Sequence, residues 1–526
     1  DIREGLASLG VLAFAATLMA SISGEYYQLP PYDDWFRHGL VVSYYRGLRI
    51  PRQYPWLLLT HLTVYTAVLG APSFNAYRSM FWLSILPVLA MLSLARRVLG
   101  PRRAPLAALL GYSGGLGWLY GSYLYLNGQG FVEAWRLAHP GNAAPTLYLL
   151  PWPASALVCG SAGLMAMVSL ALDRRTEPRV RDRLLSLAMV YTFLGHVLEA
   201  VIFHAHSVLK GDGRAKHRVI LLTVTALALE GTGFYASGKL LPLYHLGLLS
   251  MWGLTLAGPA LRALGERLRV DPEALGWALT LLYSVFLALW IVDLLDGALV
   301  RWWYGRPLLG VTSYFILVPP SYLPAVTGPL GALSLAAALT TRKARKILND
   351  LWPLLVVPLA AAFTLPPLVG FVSLRLMHLS WPVLVLLSST LVGKKVRGVA
   401  LVLLSILGLG ATLHYIAFYD LHYHTQYRLT LEDVEALRIL LKEARARVAC
   451  FSLESCKKLM IVGAEAVRVR TSAPLLSELV SRNVTHVYIS WSDRGRLGAC
   501  VLKDLTRLRV LYRGGGTALY AVSAPG

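Results

Sequence analysis

The sequence predicts a polytopic α-helical membrane domain of about 11–13 spans followed by a small α/β domain. Composition is the first ground for this. Residues of the AVILMFWYC set make up 56% of 526 residues, and charged residues only 15%, against about 25% in an ordinary soluble chain. Mean hydropathy is +0.55. The second ground is where the charges sit. Lys+Arg number 50 against 28 Asp+Glu, a net of +22, and the basic residues lie in short runs between long apolar segments. Membrane topology imposes that pattern, so the excess charge is not a nucleic-acid surface. The third is a change of character after Phe418, where ordinary soluble patterning begins.

A membrane helix needs about 20 mostly apolar residues. Spans are predicted near 6–23, 78–96, 104–121, 151–172, 219–236, 240–261, 275–300, 323–341, 351–372, 376–392 and 399–418. The apolar run 184–209 is long for one helix and short for two.

Basic clusters set the orientation. They are Arg96, Arg97, Arg102 and Arg103; Arg174, Arg175, Arg179, Arg181 and Arg183; Arg342, Lys343, Arg345 and Lys346; and Lys394, Lys395 and Arg397. The positive-inside rule makes all of them cytoplasmic. Threading the chain through them places 24–77, 122–150, 301–322 and everything after 418 outside. The connection Lys210–Arg218 is basic too, so both ends of 184–209 are predicted cytoplasmic. That segment then enters and returns, with Gly195, His196 and Glu199 near a turn buried in protein or lining a wet cavity. The alternative is one long tilted helix with a basic outer loop. The apolar stretch 52–70 does not span, since that would carry the Arg96 cluster outside. It is predicted to lie at the outer interface as an amphipathic helix, with Tyr54, Trp56 and Tyr65 at headgroup level.

Residues 1–420 are thus assigned to the membrane domain and 421–526 to an extracytoplasmic α/β domain. There Thr430 is predicted to cap a helix through Leu440, with Glu432 and Asp433 in its first turn. Strands are predicted near 448–453, 466–470, 485–490, 508–512 and 518–523. Cys450, Cys456 and Cys500 fall here. The compartment permits a Cys450–Cys456 disulfide, and buried free thiols remain open. Four cysteines make no disulfide framework. No cleavable signal peptide is recognisable. Few Asn and Gln and a preference for Arg over Lys hint at a thermophilic source, although the latter is not a general thermophile signal.

The segment GEYYQLPPYDDWFRHGL after the first span carries the chemistry most readily. Adjacent Asp33 and Asp34 follow a Pro-Pro turn close to the membrane, where a charge is costly. One carboxylate there can act as general base on an acceptor hydroxyl. The pair with His38 could instead hold a divalent cation such as Mg or Mn. A solvated loop with capping aspartates is the plain alternative. His196 and Glu199, spaced Gly-His-x-x-Glu, share one helix face as a possible substrate or metal pair. Glu230, Asp293 and Asp296 lie inside or at the ends of apolar runs, where helix-to-helix hydrogen bonding would also explain them. His414, His422 and His424 bunch at a membrane exit and read more simply as interfacial. Arg375, Arg301 and Arg306 open or flank outer helix ends, where a guanidinium fork suits a lipid phosphate or merely snorkels.

The run Asp33-Asp34-Trp35-Phe36-Arg37-His38, then Gly47-Leu48-Arg49-Ile50-Pro51-Arg52-Gln53-Tyr54-Pro55, ending at Leu69-Gly70, resembles the GT-C superfamily of membrane glycosyltransferases. Its members include protein O-mannosyltransferases, aminoarabinose and arabinofuranosyl transferases, and oligosaccharyltransferases. Ala95-Arg96-Arg97-Val98-Leu99-Gly100 is similar to the family's second membrane helix and its cytoplasmic turn. Arg375-Leu376-Met377-His378-Leu379-Ser380-Trp381-Pro382 resembles its late helix start, whose arginine helps hold the carrier phosphate. The resemblance implies a sugar taken from a polyprenyl-phosphate donor on the outer face by single displacement with inversion. It implies Asp34 or Asp33 as catalytic base, or as metal ligand in the oligosaccharyltransferase manner.

One departure is visible. The oligosaccharyltransferase signature WWDYG has no proper match. Trp302-Trp303-Tyr304-Gly305 lacks the aspartate, and Trp491-Ser492-Asp493-Arg494-Gly495 lies deep in the small domain. That puts peptide-sequon recognition and a metal dependence of that kind in doubt. The expected protein is a multi-pass cell-membrane glycosyltransferase acting on a lipid, glycan or protein acceptor, with no nucleic-acid partner. A flippase of lipid-linked sugars, or a non-catalytic anchor with an outer binding domain, are the alternatives. No internal inverted repeat supports the former.

Overall fold

Helices form along the apolar runs, and contacts at their ends explain why the charges cluster. The computed structural model describes residues 2–23, 27–28, 85–113, 115–130, 156–231, 241–268, 271–296, 323–369, 373–391, 428–443, 446–460, 462–469 and 475–522, with 57, 60, 61, 64, 68 and 410. The chain divides into two units, one of Asp1–Met19, Leu83–Trp152 and Ala156–Phe418, the other of Ala20–Trp82, Pro153–Ser155 and Tyr419–Gly526.

In the first unit, α1 (Ile2–Ser23) and α2 (Leu86–Leu99) meet where Glu4 faces Arg96 at 3.1 Å. The span predicted over 104–121 is two helices, α3 (Ala104–Leu110) and α4 (Gly117–Leu126). The break falls in a glycine-rich stretch, where helix propensity is lowest. The Gly111 carbonyl accepts the buried Trp381 indole N–H at 2.9 Å, so this peptide oxygen is satisfied from another helix. Then comes α5 (Ala156–Ala171), after which Asp173 pairs with Arg97.

The run 184–209 turns back. It is covered by α6 (Pro178–Gly195) and α7 (Val197–Leu209), with His196 between them in extended backbone, φ −155° and ψ 110°. Asp182, near the start of α6, accepts from Arg218 at 2.9 Å and pairs with Arg214 at 3.0 Å, both just beyond α7. The two ends of the segment therefore meet, as the charge pattern predicts. Next, α8 (Ala215–Gly231) and α9 (Leu241–Leu268) are joined by a Trp252 indole donating to Thr223 at 3.1 Å. Along α7, His204 lies 3.0 Å from the Met251 carbonyl, and at the far end the Tyr244 hydroxyl donates to the Leu194 carbonyl at 2.7 Å.

The bundle is completed by α10 (Pro272–Asp296), α11 (Leu323–Thr340), α12 (Arg342–Val369), α13 (Ser373–His378) and α14 (Trp381–Ser388). α11 bends at Gly328–Pro329, where φ is 53°. α12 begins well before the predicted 351, because nothing breaks the helix between Arg342 and Trp352 and the Thr341 hydroxyl caps it, accepting from the Ala344 N–H at 3.2 Å. The basic cluster is thus its first turns rather than a loop.

All the described basic clusters converge on one end. Lys343 donates to the Leu99 carbonyl at 3.0 Å, Arg345 pairs with Glu273 at 2.6 Å, and Lys210 donates to the Asn349 carbonyl. The Thr341 and Thr390 hydroxyls meet there at 2.9 Å. Lys394, Lys395 and Arg397 lie outside the described residues. The flanks carry exposed Leu221, Val224, Leu246, Leu249, Trp277, Leu281 and Val285, an apolar surface of the kind that marks a membrane or protein contact. Among the described residues, one helical stretch, Pro272–Leu289, is long and apolar enough to cross a bilayer, and Val158–Ala171, Val197–Leu209, Val326–Thr340 and Leu376–Leu391 are shorter apolar helices.

This arrangement gives a topology prediction. In a Cys500→Ser background, single cysteines at Arg102, Arg179 and Lys346, all exposed at the basic end, should share one labelling pattern with an impermeant thiol reagent. The positive-inside rule makes that side cytoplasmic. One of the three reacting from the opposite side to the other two would break the threading.

In the second unit, β1 (Tyr27–Gln28) pairs antiparallel with β2 (Arg428–Leu429). Leu57, Thr60, His61, Val64 and Val68, the described part of the predicted interfacial stretch, are helical. After β2, Thr430 caps α15 (Leu431–Lys442) as predicted, its hydroxyl accepting the Asp433 N–H at 3.1 Å while Asp433 accepts the Thr430 N–H at 3.1 Å. A five-stranded sheet follows. Its strands are β3 (Arg447–Cys450), β4 (Glu465–Arg468), β5 (His486–Ile489), β6 (Arg509–Gly514) and β7 (Thr517–Ala521), in the order β4-β3-β5-β7-β6. β3 is parallel to β4 and β5, with α16 (Leu453–Met460) and α17 (Leu475–Ser481) as crossovers. The β6–β7 hairpin closes the other edge antiparallel, after α18 (Ala499–Leu505). Its two-residue turn, Gly515-Gly516, has φ of 50° and 112°, the backbone that hairpin turns demand and glycine supplies. Val487, Ile489, Leu475, Leu479, Val501 and Leu505 fill the core.

Candidate functional site

The turn of the α6–α7 hairpin places a polar pair deep in the bundle. At about 1.5 Å per residue, the rise from Asp182 to Gly195 is about 20 Å. His196 is 6% and Glu199 2% exposed, and the imidazole Nδ1 hydrogen-bonds the Glu199 carboxylate. Two local features fix them. Glu199 lies in the first turn of α7, where the helix N-terminus favours negative charge. Gly160 on α5 leaves room for it, since a Cβ there would come within 2.7 Å of the Glu199 carboxyl carbon. A buried imidazole–carboxylate pair can pass a proton, orient a substrate hydroxyl or contribute two ligands to a cation. Among the described residues, no group of three or more His, Cys, Asp or Glu side chains gathers as a metal site.

The remaining predicted site residues are placed less fully. Asp33, Asp34, His38, Arg301 and Arg306 lie outside the described residues, as do Trp302–Gly305, His414, His422 and His424. Of Arg375, Glu230, Asp293 and Asp296 only the helical backbone is described, in α13, α8 and α10. The helices nevertheless say where those connections start. The start of α2, the end of α10, the start of α11 and the start of α13 all lie at the end of the bundle away from the basic clusters. This follows from the pairings Glu4–Arg96, Glu273–Arg345 and Thr341–Thr390 at their other ends.

A second buried polar cluster, which sequence reasoning missed, sits in the α/β unit. Lys458 on α16 and Asp433 on α15 are both 0% exposed, with Nζ 2.5 Å from Oδ2. The carboxylate also accepts from the Tyr488 hydroxyl at 2.6 Å, Thr517 at 2.8 Å and Ser490 at 3.3 Å. Burial pushes the Asp433 carboxyl up, but the Lys458 ammonium, with the bonds from Tyr488 and the Thr430 N–H, outweighs it and holds its pKa below the ordinary value. Tyr488 is raised, by burial first and then by the Asp433 charge. Asp493, in the Trp491–Arg496 3-10 helix, accepts the Ser490 N–H at 3.0 Å and a Ser455 hydroxyl at 3.3 Å. Burial raises its pKa against those bonds. The aspartate of the WSDRG stretch is thus consumed inside the domain. Cys450 and Cys456 form a disulfide across the start of α16, with Cα atoms 5.2 Å apart. The capping box was legible from Thr430 and Asp433, whereas nothing in the sequence marked Lys458 as buried.

No protein-family model matches the sequence, and no curated protein matches it. Solved structures do match. The Archaeoglobus fulgidus oligosaccharyltransferase, crystallised with Zn and sulfate, is similar over 97% of this chain and 73% of its own, at TM-score 0.50 and 14% identity. At that identity the likeness is one of fold, and the chain has the fold of the GT-C superfamily of membrane glycosyltransferases. Similar at lower scores are the archaeal oligosaccharyltransferase AglB from A. fulgidus, in complex with an inhibitory peptide and a dolichol-phosphate (TM-score 0.45, 13% identity, 98% of this chain and 74% of that one), and apo ArnT from Cupriavidus metallidurans (0.38, 11%, 99% and 98%).

Proposed function

We propose that this protein transfers a sugar from a polyprenyl-phosphate donor to a hydroxyl of a lipid, glycan or protein on the outer face of the membrane. The observation that carries this is the GT-C fold over nearly the whole chain. Two further observations support the outer placement of the α/β domain. The β1–β2 ladder joins the chain just after α1 to the chain just before α15, and a backbone ladder forms only within one compartment. The Cys450–Cys456 disulfide suits an oxidising one.

In this reading Asp34 or Asp33 takes the proton of the acceptor hydroxyl. The acceptor oxygen attacks C1 of the sugar as the C1–O bond to phosphate breaks, with inversion. The bonding pair leaves with the polyprenyl phosphate, whose charge Arg375 stabilises, with Arg301 and Arg306 as further phosphate contacts. His196 and Glu199, below the outer end, serve as a secondary proton or substrate contact. A Mg or Mn ion at Asp33, Asp34 and His38 belongs to the same reading, and no step above is routed through it.

The test begins with radiolabelled polyprenyl-phosphate sugars offered to membranes containing the protein. Arg375→Ala should weaken donor binding, and Arg375→Lys should restore only part of it, since an ammonium lacks the two-pronged geometry of guanidinium. Donor binding by Arg375→Ala equal to wild type would remove Arg375 from the site. No transfer from any donor would reject the reaction, and movement of the donor across the bilayer without transfer would favour a flippase.

A further inference from the structure

At the base of the hairpin lies a cavity of about 510 Å3, within the roughly 300–1,000 Å3 of small-molecule sites. It sits at the basic end of the bundle, about 20 Å from the hairpin turn, and the proposed sugar transfer makes no use of it. Its walls come from the end of α5, the first turns of α6, the end of α7 and the connection into α8. The charged groups in them are Arg181, Lys210, Arg214 and Arg218 against Asp182 and Asp212.

The cations outnumber what the carboxylates can neutralise. Arg218 is 3% exposed and donates Nη1 to Asp182 at 2.9 Å and Nη2 to Asp212. Arg214 takes the other oxygen of Asp182 at 3.0 Å. These pairs occupy both carboxylates. Arg181 instead donates to the Asp173 backbone carbonyl at 2.5 Å, while the Asp173 carboxylate is engaged by Arg97. Lys210 donates to the Asn349 carbonyl. Carbonyl oxygens bring no counter-charge, and among the described residues neither Arg181 nor Lys210 is hydrogen-bonded to a carboxylate. Burial holds the Lys210 pKa below its ordinary value although the nearby Asp350 pulls it back up. His206 Nδ1 and Arg218 Nε, also in the walls, are buried and without a partner among the described residues.

We propose that this cavity binds a phosphate group, held by Arg181 and Lys210 and backed by the fixed Arg214–Asp182–Arg218–Asp212 chain of ion pairs. Phosphate matches the excess of cationic donors in charge, and a guanidinium can meet two of its oxygens at once. Basic pockets between membrane helices at the cytoplasmic side take lipid headgroups in this way. A soluble phosphate presents the same oxygens. Occupancy would tie the end of α7 to the starts of α6 and α8, and so steady the hairpin that holds Glu199.

Full-length protein, purified in detergent and stripped of lipid, tests this in two arms. In one, phosphatidylglycerol is compared with phosphatidylcholine at equal mole fraction by native mass spectrometry and thermal unfolding. In the other, inorganic phosphate is compared with chloride at matched ionic strength. Wild type should bind in one arm with a Tm rise of several degrees. Arg181→Gln/Lys210→Gln should bind at least tenfold more weakly. Lys216→Gln, exposed on α8 and outside the walls, should behave as wild type. A response to phosphatidylglycerol alone identifies a lipid headgroup, and a response to inorganic phosphate identifies a soluble one. Should the double variant not fold, Lys210→Gln alone is held to the same tenfold criterion. No stabilisation beyond phosphatidylcholine and chloride, or equal binding by the substituted protein, overturns the proposal. That failure would leave the sugar-transfer reading untouched, because Asp33, Asp34 and Arg375 are elsewhere in the chain.

Discussion

Asp33→Asn or Asp34→Asn should lower sugar transfer by roughly 10²–10⁴-fold, the usual contribution of a positioned general base. Donor binding should remain close to wild type. The physical reason is that asparagine keeps the size and one acceptor oxygen of aspartate but cannot take a proton at neutral pH. The donor phosphate, by contrast, is held by fixed positive charge, which neither substitution removes. The two aspartates should differ, because one carboxylate within about 3 Å of the acceptor hydroxyl suffices. The larger loss identifies the base. Measured on isolated membranes, the defect should fall on turnover, whereas Arg375→Ala should fall on donor binding. Transfer at the wild-type rate by both aspartate variants would make the first outer loop structural, whatever the fold.

How much of this was legible in the sequence differs by element. The hairpin was readable because Arg183 and Lys210 sit at opposite ends of one apolar run, and charge next to a membrane carries topological information over many residues. The five strands were readable because short runs rich in β-branched and aromatic residues lie between turn residues, although burial does not alternate along them: β3, β5 and β7 are buried over nearly their whole length. The division of 104–121 was not, because hydropathy averages over Gly111 to Leu116 and cannot see a break whose carbonyl is satisfied from Trp381. The true start of α12 escaped for the converse reason. Arg342 to Lys346 read as a loop by charge, yet arginine and lysine are good helix formers. At the hairpin turn the spacing of His196 and Glu199 was visible, but not that Gly160 admits the carboxylate. A close approach between helices depends on which glycine faces which neighbour, and one-dimensional spacing does not contain that. The Asp433–Lys458 pair was hidden in the same way. Lysine is almost never fully buried without a partner, and its partner lies on another helix.

That pair gives the second large effect. Lys458→Met should destabilise the α/β domain by about 3–5 kcal/mol, because it leaves a buried carboxylate without its ammonium. The other four donors to Asp433 remain, from Tyr488, Thr517, Ser490 and the Thr430 N–H. Hydrogen bonds to a charge soften its desolvation but do not neutralise it. Adding Asp433→Asn should therefore recover part of the loss, since an amide oxygen in the Oδ1 position still accepts from Tyr488 and Thr517 and no charge is left behind. The pH dependence has a definite sign. In wild type the folded-state pKa of Asp433 is depressed below the 3.8 of a free carboxyl. Its contribution is full above that value and is lost as pH falls through the folded pKa. In Lys458→Met burial acts without the ammonium and drives the pKa the other way. The variant's deficit should then be largest at neutral pH and shrink as pH falls and the carboxyl protonates. Amide hydrogen exchange in the full-length protein reads this locally. Protection at Val448 and Val487, both 0% exposed on adjacent strands, should drop by two to nearly four orders of magnitude. A deficit independent of pH, or a double variant no more stable than Lys458→Met alone, would mean that lost packing around the lysine stem and not the stranded charge sets the cost.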